Sequence, residues 1–255
     1  IVTVRRRDIQ RQCAAMARRK RKTRKKAPSI LRRVLRASVY AGLGFIVLSF
    51  LLVLPLRWFN PVTTAFMLQD DSAGDLMYEW VDWKDIGLAP KLAVVAAEDQ
   101  RFADHFGIDV GAIKKAVEEQ DERGSLRGAS TISQQTAKNL FLWSGRSFVR
   151  KGLEAWMTVV VEICLPKQRI LEIYLNIAEL GPGIYGVAAA GRNYFGRTPA
   201  GLSFEQAALL AAVLPNPVRL QVNNPSDYVR ERQRWILTQM ERLRREGWIT
   251  RLADK

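Results

Sequence analysis

Apolar and polar positions divide the chain into three stretches. From Ser38 to Leu56, SVYAGLGFIVLSFLLVLPL, no residue carries a charge. About 20 apolar residues in helical conformation cross the ~30 Å hydrocarbon core of a bilayer, so this stretch predicts one spanning helix. Arg32, Arg33 and Arg36 precede it and Arg57 follows. Trp58 and Phe59 suit the aromatic belt at a membrane interface. The run exceeds the apolar core of a signal peptide, and no small-x-small cleavage site follows Leu56, so the expectation is an uncleaved anchor. Residues 60–90 show no sustained period. Pro61, QDDSAGD and MYEWVDWKDIGLAP read as an irregular approach, with Trp80 and Trp83 packing as a lid or neck.

From Lys91 onward the period is helical. KLAVVAAEDQRF predicts one helix and DVGAIKKAVEEQ a second, with Ile113 and Val117 at i, i+4. ERGSLRGAS is a polar glycine loop. TISQQTAKNLFLW opens with Thr131 and Gln134 at capping-box spacing, which places a helix start there. FVRKGLEAWMTVVVEICL predicts a long helix. PKQRILEIYLNIAEL starts at Pro166 and puts Ile170, Leu171, Tyr174 and Leu175 on one face. SFEQAALLAAVL and SDYVRERQRWILTQMERLRREGW complete the set. In the last, Ile236, Met240 and Leu243 recur at i, i+4, i+7, so its arginines read as a solvated face. The expectation is a mainly α domain outside the membrane, organised as a basic tail (1–36), an anchor (37–57), a linker or neck (58–77) and a globular domain (78–255).

Charge changes the picture only when it is located. Residues 1–36 hold fifteen Lys or Arg against one acid, Asp8, and so contain fourteen of the fifteen net positive charges. The basicity is a tail beside the anchor, which predicts a cytoplasmic tail and an extracytoplasmic domain. Affinity for anionic lipid follows from it. Nucleic-acid binding does not, because the tail has neither the aromatics nor a fold with which to read bases. Cys13 and Cys164 lie on opposite sides of the anchor, so they cannot pair. A single histidine, His105, cannot build a multi-histidine zinc site.

Four places could bear chemistry. GPGIYG, Gly181 to Gly186, matches a dinucleotide fingerprint in letters only. It follows a helical segment rather than a strand and contains Pro182, so it reads as a glycine-rich bend. Glu98 and Asp99 end an apolar segment, where burial raises a carboxylate's pKa and keeps it basic. RKGLE sets Arg150 and Lys151 around Glu154 just before the apolar run AWMTVVVE, which suggests a charged cleft wall. RGASTISQQTAKN joins a glycine loop to a capped helix start. Free N–H groups there favour an anion, and Lys138 follows one turn on. NLFLWSGRSF reads equally well as core or as a membrane-dipping jaw.

These motifs together resemble the monofunctional peptidoglycan glycosyltransferases, relatives of the glycosyltransferase domain of bifunctional penicillin-binding proteins. The first motif reads Glu98, Asp99, Phe102, His105 and Gly107. The second reads Gly128, Ser130, Thr131, Ile132, Gln134 and Gln135, followed by Lys138 and Asn139, with Ser133 standing where threonine is common. The third is Arg150, Lys151 and Glu154. The fourth is KQRILEIYLN, Lys167 to Asn176, with Gly181, Tyr185 and Gly186 after it. LSFEQAALLAAVLPNP is a weaker fifth. The likeness covers roughly Tyr78 to Arg219. No S-x-x-K occurs, so the transpeptidase signature of the bifunctional relatives is missing.

The resemblance implies a lysozyme-like, two-lobed domain with a head and a membrane-facing jaw. It implies polymerisation of lipid II into β-1,4 glycan strands with release of undecaprenyl pyrophosphate. It names Glu98 as general base and Glu154 as organiser of the pyrophosphate site, the two catalytic residues. It implies substrate contacts at Asp99, Arg101, Ser130, Gln134, Gln135, Lys138, Arg150, Lys151, Lys167, Asn176 and Tyr185. His105 and Asp99 are expected to act as supports more than as acids. A divalent ion near Glu154, Mg2+ or Mn2+, is the one cofactor it leaves open, and no organic cofactor is expected. The partners implied are lipid II, the growing strand and the membrane, single-pass, with division or elongation machinery and penicillin-binding proteins left open. The rival readings are a wall-cleaving lytic enzyme of the same broad fold and a non-catalytic anchored scaffold.

Overall fold

The structure, a computed structural model, describes residues 30–72, 75–114, 130–145 and 147–253. The basic tail up to residue 29, Gly128 and the second half of DVGAIKKAVEEQ lie outside the described residues. The chain separates into two compact units, Ile1–Ile46 and Val47–Lys255. The described part of the first is helical and solvent-exposed. It belongs to helix α1 (Ile30–Val53). The stretch Ile30–Arg57 has a mean hydropathy of 2.4 and is long and apolar enough to cross a membrane.

The second unit is mostly helical, as its period predicts. Its helices are α2 (Leu88–Glu98), α3 (Ile132–Phe141), α4 (Phe148–Cys164), α5 (Lys167–Ile177), α6 (Gly186–Phe195), α7 (Phe204–Val213), α8 (Asp227–Arg245) and α9 (Trp248–Ala253). Helix α5 forms the centre. Ile170, Leu171, Ile173, Leu175 and Ile177 are wholly buried and Tyr174 nearly so. A helix buried on every side, its Lys167, Glu172 and Asn176 included, has to be wrapped by its neighbours. Helices α2, α3, α4, α6 and α9 all contact it, and α7 and α8 pack against α2. The expected capping box is present: Thr131 accepts from the Gln134 N–H while the Gln134 side chain accepts from the Thr131 N–H. Ser203 and Gln206 repeat the device on α7. Such caps are each worth about 1 kcal/mol.

Three features depart from the pattern. Helix α2 stops at Glu98 instead of running on to Phe102, because Asp99 leaves helical geometry at φ −163°. GPGIYG is the turn of a small hairpin between β2 (Glu179–Gly181) and β3 (Ile184–Tyr185). β3 also pairs in parallel with β1 (Met77–Tyr78), giving the order β1-β3-β2. The glycine-rich bend is therefore present, but strands this short leave no period from which the sheet around it could be read. Gly186 needs φ +80° there, and a Cβ would sit 2.3 Å from the Asn176 carbonyl oxygen, so no larger residue fits. Helices α6 and α9 are the third departure. The alanine- and glycine-rich start of α6 has no clear stripe and is buried by its neighbours.

The neck is docked closely onto the domain. Val53 and Met67 belong to the core. Arg169 on α5 donates to the carbonyls of Leu56 (2.8 Å) and Phe59 (3.0 Å) and to Asn60 Oδ1 (2.8 Å). Tyr78 donates to the Pro61 carbonyl, 2.7 Å, and Trp156 to Ser49, 3.0 Å. The amides of Ala65 and Phe66 pair with the carbonyls of Leu140 and Asn139 at the end of α3. Trp83 lies under Lys91 and Trp80 under Arg169.

Candidate active site

Glu98 is the last residue of α2, and its carboxylate projects into a cleft. The cleft measures about 300 Å³ and is lined by residues 96–101, Asp109, Ala112, Ser130, Thr131 and Trp235. One carboxylate oxygen accepts from the Gln135 amide at 2.8 Å, and the other from Arg232 at 3.3 Å. Tyr174 in turn donates to the Gln135 carbonyl oxygen, 3.0 Å, which orients the amide N–H toward Glu98. The Glu98 side chain is 13% exposed. Burial pushes its pKa up, while Gln135, Arg232 and Lys138 hold it down. A desolvated but still partnered carboxylate is a stronger base than a solvated one, which suits it to proton transfer.

Asp99 points the other way. Both of its oxygens lie 3.0 Å from His105 Nε2, and one accepts from the Ile132 N–H, 3.2 Å, at the start of α3. Ending α2 at Glu98 therefore lets Asp99 cap α3, the helix that bears Gln135 and Lys138. Gly107, at φ +73°, passes so close to Thr158 and Glu162 that a Cβ would lie under 3 Å from each. Its carbonyl accepts from the Thr131 hydroxyl, which ties the turn to the same helix start.

The cations gather one turn beyond Gln135. Lys138 is largely buried, stacks on Phe66 at 5.0 Å, and has no hydrogen-bond or ion-pair partner among the described residues. Burial lowers its pKa. Glu154 counters this most, Arg150 and Lys151 add to it, and Glu98 also opposes it. On α4, Arg150 donates to Glu154 at 2.9 Å and Lys151 to the other oxygen of the same carboxylate. Glu154 is 3% exposed and Lys151 half-exposed. Arg150 keeps a buried Nε–H without a partner among the described residues. This is the charged turn leading into a buried helix that the sequence predicts, and the helix is amphipathic as that requires.

Glu98, Gln135, Lys138, Arg150, Lys151 and Glu154 thus form one electrostatic cluster, with Arg101 and Ser130 on the cleft wall beside Glu98. Arg101 is mostly exposed and pairs with Asp109 at 3.4 Å. Other residues expected to bind substrate are committed to the scaffold. Gln134 is used by the α3 cap. Lys167 pairs with buried Glu162 at 2.7 Å and lies over Phe102. Ser133, the departure from threonine, donates to the same Glu162. Asn176 is fully buried and brackets Val81, accepting from its N–H at 2.8 Å and donating to its carbonyl at 2.9 Å. Tyr185 is buried and donates to Asp70, 2.6 Å.

The structure also corrects two readings. Arg232 of α8 is not part of a solvated face, because it holds Glu98 and the Ala97 carbonyl. The sequence does contain a signal for it. Val229, Arg232 and Ile236 fall at i, i+3, i+7 on the buried stripe of α8. Glu179 stands out only in the structure. Its pKa is pushed up to about 7, chiefly by burial and then by Asp70, with Lys138 opposing. NLFLWSGRSF divides. Asn139, Leu140 and Leu142 are buried, whereas Trp143 is partly exposed and Phe148, at the start of α4, almost wholly so; Val149, just beyond the run, is largely exposed.

A divalent ion beside Glu154 fits these residues poorly. Both Glu154 oxygens already receive cations, and among the described residues no group of three His, Cys, Asp or Glu side chains could hold a metal. Hard divalent ions need several oxygen ligands. Among the described residues, the cations that act on Lys138 beside Glu154 are Arg150 and Lys151.

The sequence matches the transglycosylase family over residues 69–241. The chain belongs to the transglycosylase family. It is 52% identical over 217 residues to a biosynthetic peptidoglycan transglycosylase of Stutzerimonas stutzeri (strain A1501), covering 82% of this chain and 90% of the relative. It is 48% identical over 232 residues to one of Pseudomonas fluorescens (strain Pf-5), covering 88% and 97%. Within the transglycosylase match lie Glu98 and Glu154, the cations Lys138, Arg150 and Lys151, and Arg232. The lysozyme-like, mainly helical fold implied by the motifs stands with the family.

Proposed function

We propose that the protein polymerises lipid II into β-1,4-linked glycan strands, releasing undecaprenyl pyrophosphate, as a monofunctional peptidoglycan glycosyltransferase of cell-wall synthesis. The observation that supports this most is the spacing of charge along α3. Gln135 holds a desolvated carboxylate, and one turn later Lys138 presents an unpartnered cation toward Arg150, Lys151 and Glu154. An acceptor hydroxyl needs a base, and a leaving pyrophosphate needs positive charge rather than a proton.

Glu98 takes the proton of the acceptor hydroxyl as its oxygen attacks the donor's anomeric carbon. The bond to pyrophosphate breaks on the opposite face, so the α-linked donor becomes a β-glycoside in one inverting displacement, with no enzyme nucleophile. Lys138, Arg150 and Lys151 meet the charge that builds on the departing pyrophosphate. Glu154 keeps Arg150 and Lys151 in place. Asp99 and His105 act one layer behind, by fixing the start of α3.

The anchor suits substrates that themselves sit in a bilayer. The basic tail puts the catalytic domain on the extracytoplasmic side of the cytoplasmic membrane. Phe148 and Val149 offer an apolar edge for the bilayer surface. Division or elongation proteins and penicillin-binding proteins are natural partners for such an activity. Incubating the full chain in detergent with fluorescent lipid II tests the reading. Long polymer supports it, cleavage of preformed glycan without polymer identifies a lytic enzyme, and no turnover leaves a scaffold.

A further inference from the structure

The cleft around Glu98 has a wall that the proposed reaction does not yet use. Helix α8 contributes Trp235 to it, three residues after Arg232. Arg232 grips the base, and Trp235 lines the same cleft. The indole is 46% exposed, and its N–H has no hydrogen-bond partner among the described residues. Buried apolar residues of α8 hold the helix against the domain, with Val229, Ile236 and Met240 at 0% exposure. The tryptophan is therefore a rigidly mounted aromatic face beside the proposed base, left open to solvent.

The surrounding chemistry selects the occupant. Around Trp235 every charge is already matched: Glu98 holds Arg232, Asp109 holds Arg101, and Asp99 is turned to His105 and the Ile132 N–H. That wall has no unpaired cation to offer a pyrophosphate, which the cluster of Lys138, Arg150 and Lys151 suits instead. It suits an uncharged polyol. One face of a pyranose ring is a sheet of axial C–H bonds that lies well on the negative face of an aromatic ring, while its hydroxyls reach polar groups at the rim. Gln100, Ser130 and Arg101 stand at that rim. Small-molecule sites combine apolar walls with a few polar groups and begin at about 300 Å³, the size of this cleft.

We infer that Trp235 is the platform on which the terminal sugar of the acceptor stacks, setting its hydroxyl against Glu98. This rests on the proposed polymerisation for the identity of the acceptor, but not for the binding of a saccharide. Replacing Trp235 then weakens acceptor binding more than it slows chemistry, since the base and the cation cluster remain.

The test uses the full chain in detergent micelles, labelled with 5-fluorotryptophan and followed by fluorine NMR. The Trp235 resonance is assigned from the W235F spectrum. Titration with a soluble β-1,4-linked N-acetylglucosamine oligosaccharide is expected to shift that resonance saturably. In parallel, W235A is expected to raise KM for lipid II about tenfold, the scale of a lost aromatic contact, with kcat and melting temperature little changed. W235F is expected to recover most of the loss. An unmoved Trp235 resonance together with wild-type KM in W235A overturns the inference and leaves the polymerase reading intact. A saturable shift in a protein that does not polymerise lipid II supports the saccharide platform and overturns the proposed reaction.

Discussion

Replacing Glu98 by Gln removes a charge while keeping the shape of the side chain. In the wild type one oxygen accepts from Gln135 and the other from Arg232. An amide has one acceptor and one donor, so the substituted side chain keeps the Gln135 bond and turns its NH2 toward Arg232, which cannot accept. Against that lost ion pair stands the desolvation of the carboxylate. The Glu98 pKa is raised overall, so burial outweighs the partners and the ionised group is a net cost to the fold at neutral pH. The melting temperature of E98Q should therefore hold or rise at pH 7 and show no gain at a pH below the unfolded carboxylate pKa. Turnover should fall by roughly 10²–10⁴, the scale of a positioned acid or base, which corresponds to about 3–5 kcal/mol of activation free energy. Binding of a phosphoglycolipid that mimics the growing strand should survive, because Lys138, Arg150 and Lys151 are untouched. The assay measures initial rates of fluorescent lipid II polymerisation, inhibitor affinity and thermal melts on E98Q and wild type side by side. A folded E98Q that polymerises near the wild-type rate refutes the assignment of the base.

Three further variants probe the same frame. Arg232→Ala removes a group that holds the Glu98 pKa down, so the acid limb of the pH–rate profile should move to higher pH; an unshifted limb counts against the contact. Glu179→Gln should stabilise the fold by an amount that grows from about pH 4.5 to about pH 7 and then levels off, because over that window the unfolded carboxyl ionises while the folded one is held protonated. Melts across that range check it, and a constant offset would contradict it. Asn176→Ala strands the partly buried N–H and carbonyl of Val81. It should cost about 2–3 kcal/mol of stability, read by denaturant melts, while KM for lipid II below the transition stays at its wild-type value.

The elements that their own residues specify are legible without the fold. An uncharged run flanked by arginines, a Thr131–Gln134 capping box and the stripe of α8 each follow from spacing along one segment. The pair Glu98 and Glu154, with Lys138 between them, is legible for a related reason. Each occurs at a helix end or on a helix face where its local pattern conflicts with simple solvation. The opposite holds where a side chain's duty depends on a distant segment. Asn176 and Tyr185 sit inside motif-like stretches, yet their polar atoms are taken by Val81 and Asp70, about a hundred positions earlier. Gln134 and Lys167 are similarly spent inside the scaffold. Arg232 looks like one more exposed arginine until α8 packs on α2 and brings it to Glu98. Glu179 acquires its raised pKa only from burial beside Asp70 once the hairpin forms. Local spacing determines which helices form and which face each buries. Which carboxylate is desolvated, and which cation reaches it, depends on helix packing, since burial and Coulomb energy are set by neighbours in space rather than in sequence.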